Sequence, residues 1–136
     1  MTGTTEGPRL RVLLVDDDAA VAKALAAILS RAGYEVVVAA TPREAESRLD
    51  QRFDILLLDL RMPGMRGDAL YFVARARQPW LSERTLFMTG DITPIAEAIV
   101  AETRCPLLIK PFRSAELLGA IERLLPRVSP SSAAAS

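Results

Sequence analysis

Five short apolar runs punctuate this chain, and four of them end directly in a residue that can do chemistry. VLLV at 12–15 runs into Asp16-Asp17-Asp18, ILLL at 55–58 into Asp59, LFM at 86–88 into Thr89, and LLI at 107–109 into Lys110. Longer segments with apolar residues at helical spacing lie between the runs. Such alternation is the signature of repeated βα units, and continuously apolar strands suit a parallel sheet covered on both faces. The expected strands span 11–15, 35–39, 54–58, 84–88 and 107–109. In an open parallel sheet the carboxyl ends of the strands line one edge, where ligands bind at the topological switch point. The polar residues that end the four runs are thus expected to meet in one crevice.

The helices have readable ends. Segment 19–31 repeats Val21, Leu25, Ile28 and Leu29 on one face, with Gly33 placed to supply a left-handed cap. Thr41-Pro42-Arg43-Glu44 reads as a capping box with proline at the first helical position. Further helices are expected over 69–77 and 95–102, and Ser114 is expected to cap a last one carrying Leu117, Leu118, Ile121, Leu124 and Leu125. Segments 1–9 and 126–136 are rich in small and polar residues without apolar periodicity, and read as mobile ends flanking a folded unit at 10–125.

At 136 residues the chain has room for one domain. Its 17 basic and 17 acidic residues cancel, so no overall field favours nucleic acid or an anionic membrane. Direct DNA binding is not expected. The apolar runs are far short of a membrane span, and no signal peptide is recognisable. The single cysteine, Cys105, cannot form an intrachain disulfide, which is compatible with a reducing compartment and makes cytoplasm the default location. The chain has no histidine, which excludes Ser-His-Asp and Cys-His catalysis and any phosphohistidine on this chain.

Taken singly, an Asp or Thr after a strand most often caps a helix or makes a turn, and Asp18 reads as an N-cap. Taken together, an acidic cluster, a lone carboxylate, a hydroxyl and an ammonium form a coherent set. Carboxylates brought together repel unless a cation sits among them. Mg²⁺ needs only a few carboxylates plus a phosphate oxygen, whereas Ca²⁺ usually takes a fuller cage, and no EF-hand loop is present. A carboxylate beside such an ion can accept a phosphoryl group, with Thr89 and Lys110 placed to contact its oxygens.

The ordered set resembles the receiver domain of two-component response regulators, over about 10–125. VLLVDDD is similar to that family's first strand and acidic pair, DILLLDLRMPGMRG to the segment bearing the phosphorylated aspartate, with Met62-Pro63 and Gly67 at their usual offsets, FMTGD to the hydroxyl-bearing segment, and LIKPF to the lysine segment. The resemblance implies a flavodoxin-like doubly wound (βα)5 fold with strand order 2-1-3-4-5. It implies Asp59 as phosphoacceptor, Asp16, Asp17, Asp59 and the Arg61 backbone carbonyl as Mg²⁺ ligands, Thr89 and Lys110 as contacts to the phosphoryl group, and a cis bond before Pro111. A histidine kinase or histidine phosphotransfer protein is the implied donor. The output partner is unspecified, a homodimer is allowed, and the chain is not expected to be a turnover enzyme.

Side chains of Arg61 and Asp91 are expected to flank the opening to the site. Leu107 stands where receivers often carry the aromatic ring that moves with the hydroxyl residue, and the ending around Glu102 to Pro106 looks more like stand-alone receivers or those of hybrid kinases. Trp80 reads as a loop or edge aromatic, and Cys105 as a loop residue with little claim to redox chemistry. A haloacid dehalogenase-type phosphatase would share the ion and the aspartyl phosphate, but its Asp-x-Asp pattern is broken here by Arg61 and the acidic cluster comes first. Neither phosphate-binding glycine loop follows the first strand. An interaction module that is never phosphorylated would be expected to lose part of the set.

Overall fold

The computed structural model describes residues 9–62 and 67–125, so all but Arg9 of the expected mobile end at 1–9, the whole of that at 126–136, and Pro63 lie outside the described residues. The chain runs β1 (Arg11–Val15), α1 (Ala19–Arg31), β2 (Glu35–Ala39), α2 (Pro42–Ser47), β3 (Ile55–Asp59), α3 (Gly67–Arg77), a 3-10 turn (Pro79–Glu83), β4 (Thr85–Thr89), α4 (Pro94–Thr103), β5 (Leu107–Ile109) and α5 (Ser114–Leu124). The five strands form one parallel sheet in the order β2-β1-β3-β4-β5. The expected doubly wound α/β fold is therefore present, strand order included.

Strand alternation divides the core into two layers. Leu13, Val15, Leu56, Leu58 and Phe87 face one way and pack with Ala45 of α2, Leu70, Tyr71 and Ala74 of α3, and Ile99 of α4. Val12, Leu14, Ile55, Leu57, Leu86 and Met88 face the other way, against Ala22, Leu25 and Leu29 of α1 and Leu117, Ala120 and Ile121 of α5. This is why β1 and β3 read as uninterrupted apolar runs: both their faces are covered. Complete burial of a leucine or valine side chain stabilises by roughly 1.5–3 kcal/mol, and Val12 to Val15 and Ile55 to Leu58 are all 0 % exposed. A core of this kind can support an electrostatically unfavourable cluster at its edge.

Boundaries differ in detail from expectation. β3 and β4 each lie one residue later than 54–58 and 84–88, so Asp59 and Thr89 are the last paired residues of their strands. The ladder continues while its backbone groups find partners, whatever the side chain. α3 begins at Gly67 rather than 69, and α4 spans Pro94–Thr103 rather than 95–102. Thr93 caps α4, its hydroxyl accepting from the Ala96 N–H at 3.0 Å. Thr41 caps α2 as expected, accepting from Glu44 N–H at 3.0 Å while Glu44 accepts from the Ala40 N–H. Ser114 is not a cap: it is the first residue of α5, Arg113 holds the N-cap position, and Glu116 accepts from the Arg113 N–H at 2.7 Å. Gly33 does adopt the left-handed backbone after α1, with φ of 102°.

Trp80 lies on the 3-10 turn and is half-buried; its Nε1 donates to the Phe53 carbonyl and the Arg52 guanidinium sits 4.3 Å from the ring centroid. That is a structural aromatic, as expected. The Lys110-Pro111 bond is cis.

Candidate functional site

Register brings the polar strand ends together. Val15 lies beside Leu58, Asp59 beside Met88 and Thr89 beside Ile109, so Asp16, Asp59, Thr89 and Lys110 occupy consecutive stations along the carboxyl edge. Asp16 N–H extends the β1–β2 ladder to the Ala39 carbonyl at 3.1 Å, and Lys110 N–H extends the β4–β5 ladder to the Thr89 carbonyl at 2.7 Å. The side chains inherit their positions from a rigid sheet. β1 is the switch point, where the chain order reverses between β2 and β3.

Asp16 is 1 % exposed, Asp59 5 % and Thr89 1 %. Lys110 joins the two buried carboxylates: its Nζ donates to Asp16 Oδ2 at 2.8 Å and to Asp59 Oδ2 at 3.0 Å. The remaining oxygens are held by backbone. Asp18 N–H donates to Asp16 Oδ1 at 2.9 Å, and Arg61 N–H to Asp59 Oδ1 at 2.9 Å. Both are turns in which a carboxylate bonds the backbone two residues on. These two donors were not foreseen from sequence, although an Asp ending a strand before a turn is the signal that could have revealed them.

Asp17 is exposed, and one carboxylate oxygen each from Asp16, Asp17 and Asp59 lie within 4.8 Å of one another. Asp18 stands apart as expected, capping α1 by accepting from the Ala20 and Val21 N–H groups at 3.1 Å. Burial raises the pKa of Asp59; the Arg61 N–H and Lys110 oppose the rise, while Asp16 adds to it. For Lys110, burial alone would lower the pKa, but its bonds to Asp16 and Asp59 reverse the sign and the net shift is upward. The ammonium is secured in its charged form.

Donors at this site are oxygens only, clustered and anionic, which fits a hard divalent ion such as Mg²⁺ and not a thiophilic or imidazole-seeking metal.

Thr89 ends β4 in place, and its hydroxyl is engaged by the backbone of Asp91. It donates to the Asp91 carbonyl at 2.9 Å, and its Oγ1 accepts from the Asp91 N–H at 3.3 Å. The Asp91 carboxylate in turn accepts from the Arg61 guanidinium, and both of these side chains are 62 % exposed. Arg61 and Asp91 thus flank the crevice, as expected, and do so as an ion pair. Leu107, half-buried, packs on the layer that holds Phe87 and Ile99.

Cys105 is buried at the opposite end of β5 from Lys110, and burial pushes its thiol up. A reactive thiol needs the opposite shift.

A family model described as the response regulator receiver domain matches residues 12–122. The chain is similar to the transcriptional regulatory protein AruR of Pseudomonas aeruginosa, with 32 % identity over 132 residues, covering 92 % of this chain and 53 % of that protein. It spans smaller fractions of other curated relatives, down to 13 %. Among solved structures, a CheY-like receiver domain protein from Methanospirillum hungatei superposes with a TM-score of 0.79 at 29 % identity, covering 86 % of this chain and 94 % of that one. A response regulator from Burkholderia pseudomallei, solved with a phosphorylated aspartic acid and a calcium ion, gives a TM-score of 0.74 at 25 % identity, with 93 % of this chain and 71 % of that one covered.

Proposed function

Because this chain belongs to the response regulator receiver family, a signalling module of two-component systems, we propose that Asp59 is its phosphoacceptor. The observation that carries this reading is the shared grip on two buried carboxylates. Lys110 bridges Asp16 and Asp59, and Asp59 is the one whose strand ends at the centre of the crevice. Asp16, Asp17, Asp59 and the Arg61 backbone carbonyl would hold Mg²⁺. When bound, the ion neutralises charge on the transferring phosphoryl oxygens.

In the reaction, a carboxylate oxygen of Asp59 forms a bond to phosphorus as the bond from phosphorus to the donor breaks. The electron pair leaves with the donor: the imidazole nitrogen of a phosphohistidine, or the oxygen of a small acyl phosphate. Lys110 stays protonated and moves from sharing carboxylates to pairing with a phosphoryl oxygen. Arg61 N–H keeps the Asp59 carboxylate oriented through the approach. Thr89, one strand over at the same sheet edge, exchanges the Asp91 carbonyl for a phosphoryl oxygen. The chain is altered by each event instead of released unchanged, so it acts as a switch and not as a turnover enzyme.

The donor is a histidine kinase or a histidine phosphotransfer protein, since the chain has no histidine of its own. DNA binding belongs to relatives described as DNA-binding regulators; this chain's balanced charge supports an output through protein contacts. No helix among the described residues is long and apolar enough to cross a membrane, and with a single buried cysteine a cytoplasmic location is the natural assignment.

Incubation with acetyl phosphate and Mg²⁺, read by intact mass, should add one phosphoryl group to the wild type and none to Asp59→Asn. An adduct of equal yield on the variant would move the acceptor elsewhere. Multiple-turnover hydrolysis of small phosphate esters would instead favour the dehalogenase-type reading.

A further inference from the structure

Asp91 is pinned twice. Its backbone carbonyl accepts from the Thr89 hydroxyl at 2.9 Å, and its carboxylate accepts from the Arg61 guanidinium. The first pin comes from the end of β4 and the second from the segment after β3, so the two close over the crevice from adjacent strands. Two residues beyond Asp91, Thr93 caps α4. Whatever fixes Asp91 therefore fixes the entry to that helix.

Both pins are made by donors, a hydroxyl and a guanidinium, that a phosphoryl anion on Asp59 would attract. An ion pair whose members are each 62 % exposed is weak and screened by salt. A phosphoryl group brings up to two negative charges and three strong acceptor oxygens, and guanidinium pairs with it bidentately. Arg61 is joined to the acceptor by its own backbone, its N–H lying 2.9 Å from Asp59 Oδ1. Its side chain extends toward Asp91, over the crevice that would receive the phosphoryl group.

We propose, resting on the reading of Asp59 as phosphoacceptor, that Arg61 and Asp91 form a charge latch on the loop between β4 and α4, opened when Arg61 transfers from the Asp91 carboxylate to the phosphoryl oxygens. Thr89 releases the Asp91 carbonyl in the same event, so one new anion withdraws both pins. Coupling needs a partner difference between two states, and here it is explicit: Asp91 holds both donors before phosphorylation and neither after it. The latch offers this chain a route from Asp59 to α4 that does not involve position 107, where Leu107 pairs with Phe87 across β4 and β5, packs on the core layer and offers no ring to swing.

The test is hydrogen exchange at amides 90–93 of the full chain, with and without acetyl phosphate and Mg²⁺, beside an intact-mass measurement on the same samples. Wild type should exchange roughly two- to fivefold faster here once phosphorylated, the range that loss of an exposed pair converts to. Asp91→Asn and Arg61→Gln, which substitute exposed side chains, should each show much of that acceleration without a donor, and high salt should produce it in wild type. If Asp91→Asn and Arg61→Gln both exchange like unphosphorylated wild type, the latch is wrong. It is also wrong if a phosphorylated wild type shows no acceleration. Absence of any mass gain on the wild type overturns the acceptor reading itself, and the latch with it.

Discussion

As the proposed phosphoacceptor, Asp59 must be ionised to attack phosphorus, yet its surroundings favour the proton. Burial raises its pKa and the Asp16 carboxylate adds to the rise, while Arg61 N–H and Lys110 only partly compensate. With a folded-state pKa above the unfolded value, the protonated form is the one folding favours. That contribution is present at pH below the usual carboxylate pKa and is lost as pH rises through the folded one. At neutral pH without a divalent ion, Asp59 therefore works against stability. Asp59→Asn removes the charge and keeps the shape, so in EDTA at pH 7 it should melt above wild type by on the order of 1 kcal/mol, roughly 3–5 °C. The gap should narrow as pH falls toward 4, and a melting temperature below wild type at pH 7 would contradict this account. These charges were legible in the sequence because a carboxylate or ammonium directly after an apolar run must sit at the edge of a sheet. The direction of the Thr89 hydroxyl was not, since a rotor chooses among neighbours that only the folded loop supplies.

Elements obey the same division between what periodicity encodes and what contacts decide. Five strands, five helices and their order were readable because covered strands demand continuous apolar runs and helices a repeating face. The 3-10 turn over Pro79–Glu83 was not, because it depends on what Gln78 does before it. Gln78 is 5 % exposed, an unusual place for an amide. Its Oε1 accepts from the Phe53 N–H at 2.9 Å, and its Nε2 donates to the Leu49 and Gln51 carbonyls at 3.2 and 2.7 Å. One side chain thus satisfies three backbone groups in the connection from α2 to β3, holding the start of the strand that ends in Asp59. Gln78→Leu keeps the bulk and leaves those groups buried without partners, a loss of about 2–4 kcal/mol by denaturant titration. A change under 0.5 kcal/mol would mean that water replaces the amide. No local pattern distinguishes this glutamine from a surface one, since its partners are 25 to 29 residues away.

For the molecule as a whole, the proposed ion site at the carboxylate cluster would link ion binding to folding. The oxygens of Asp16, Asp17 and Asp59 lie within 4.8 Å of one another only because β1 and β3 are paired. An unfolded chain separates Asp16 and Asp17 from Asp59 by over forty residues and has no comparable affinity for Mg²⁺. Binding should then stabilise by RT ln(1 + [L]/Kd), about 2.7 kcal/mol at a hundredfold excess over Kd, which for a domain of this size is roughly 8–13 °C. Asp16→Asn should keep the fold and lose most of that response, because Asp16 is a buried member of the cluster and cannot be replaced by a surface carboxylate. The decisive comparison is the slope of melting temperature against log Mg²⁺ concentration for wild type, Asp16→Asn and Asp59→Asn. A steep slope in wild type alone would assign the ion to these carboxylates. Parallel slopes in all three would place it elsewhere. The same experiment bears on the proposed signalling role, because a switch that takes up Mg²⁺ before accepting a phosphoryl group would have its crevice least self-repelling in the ion-bound state.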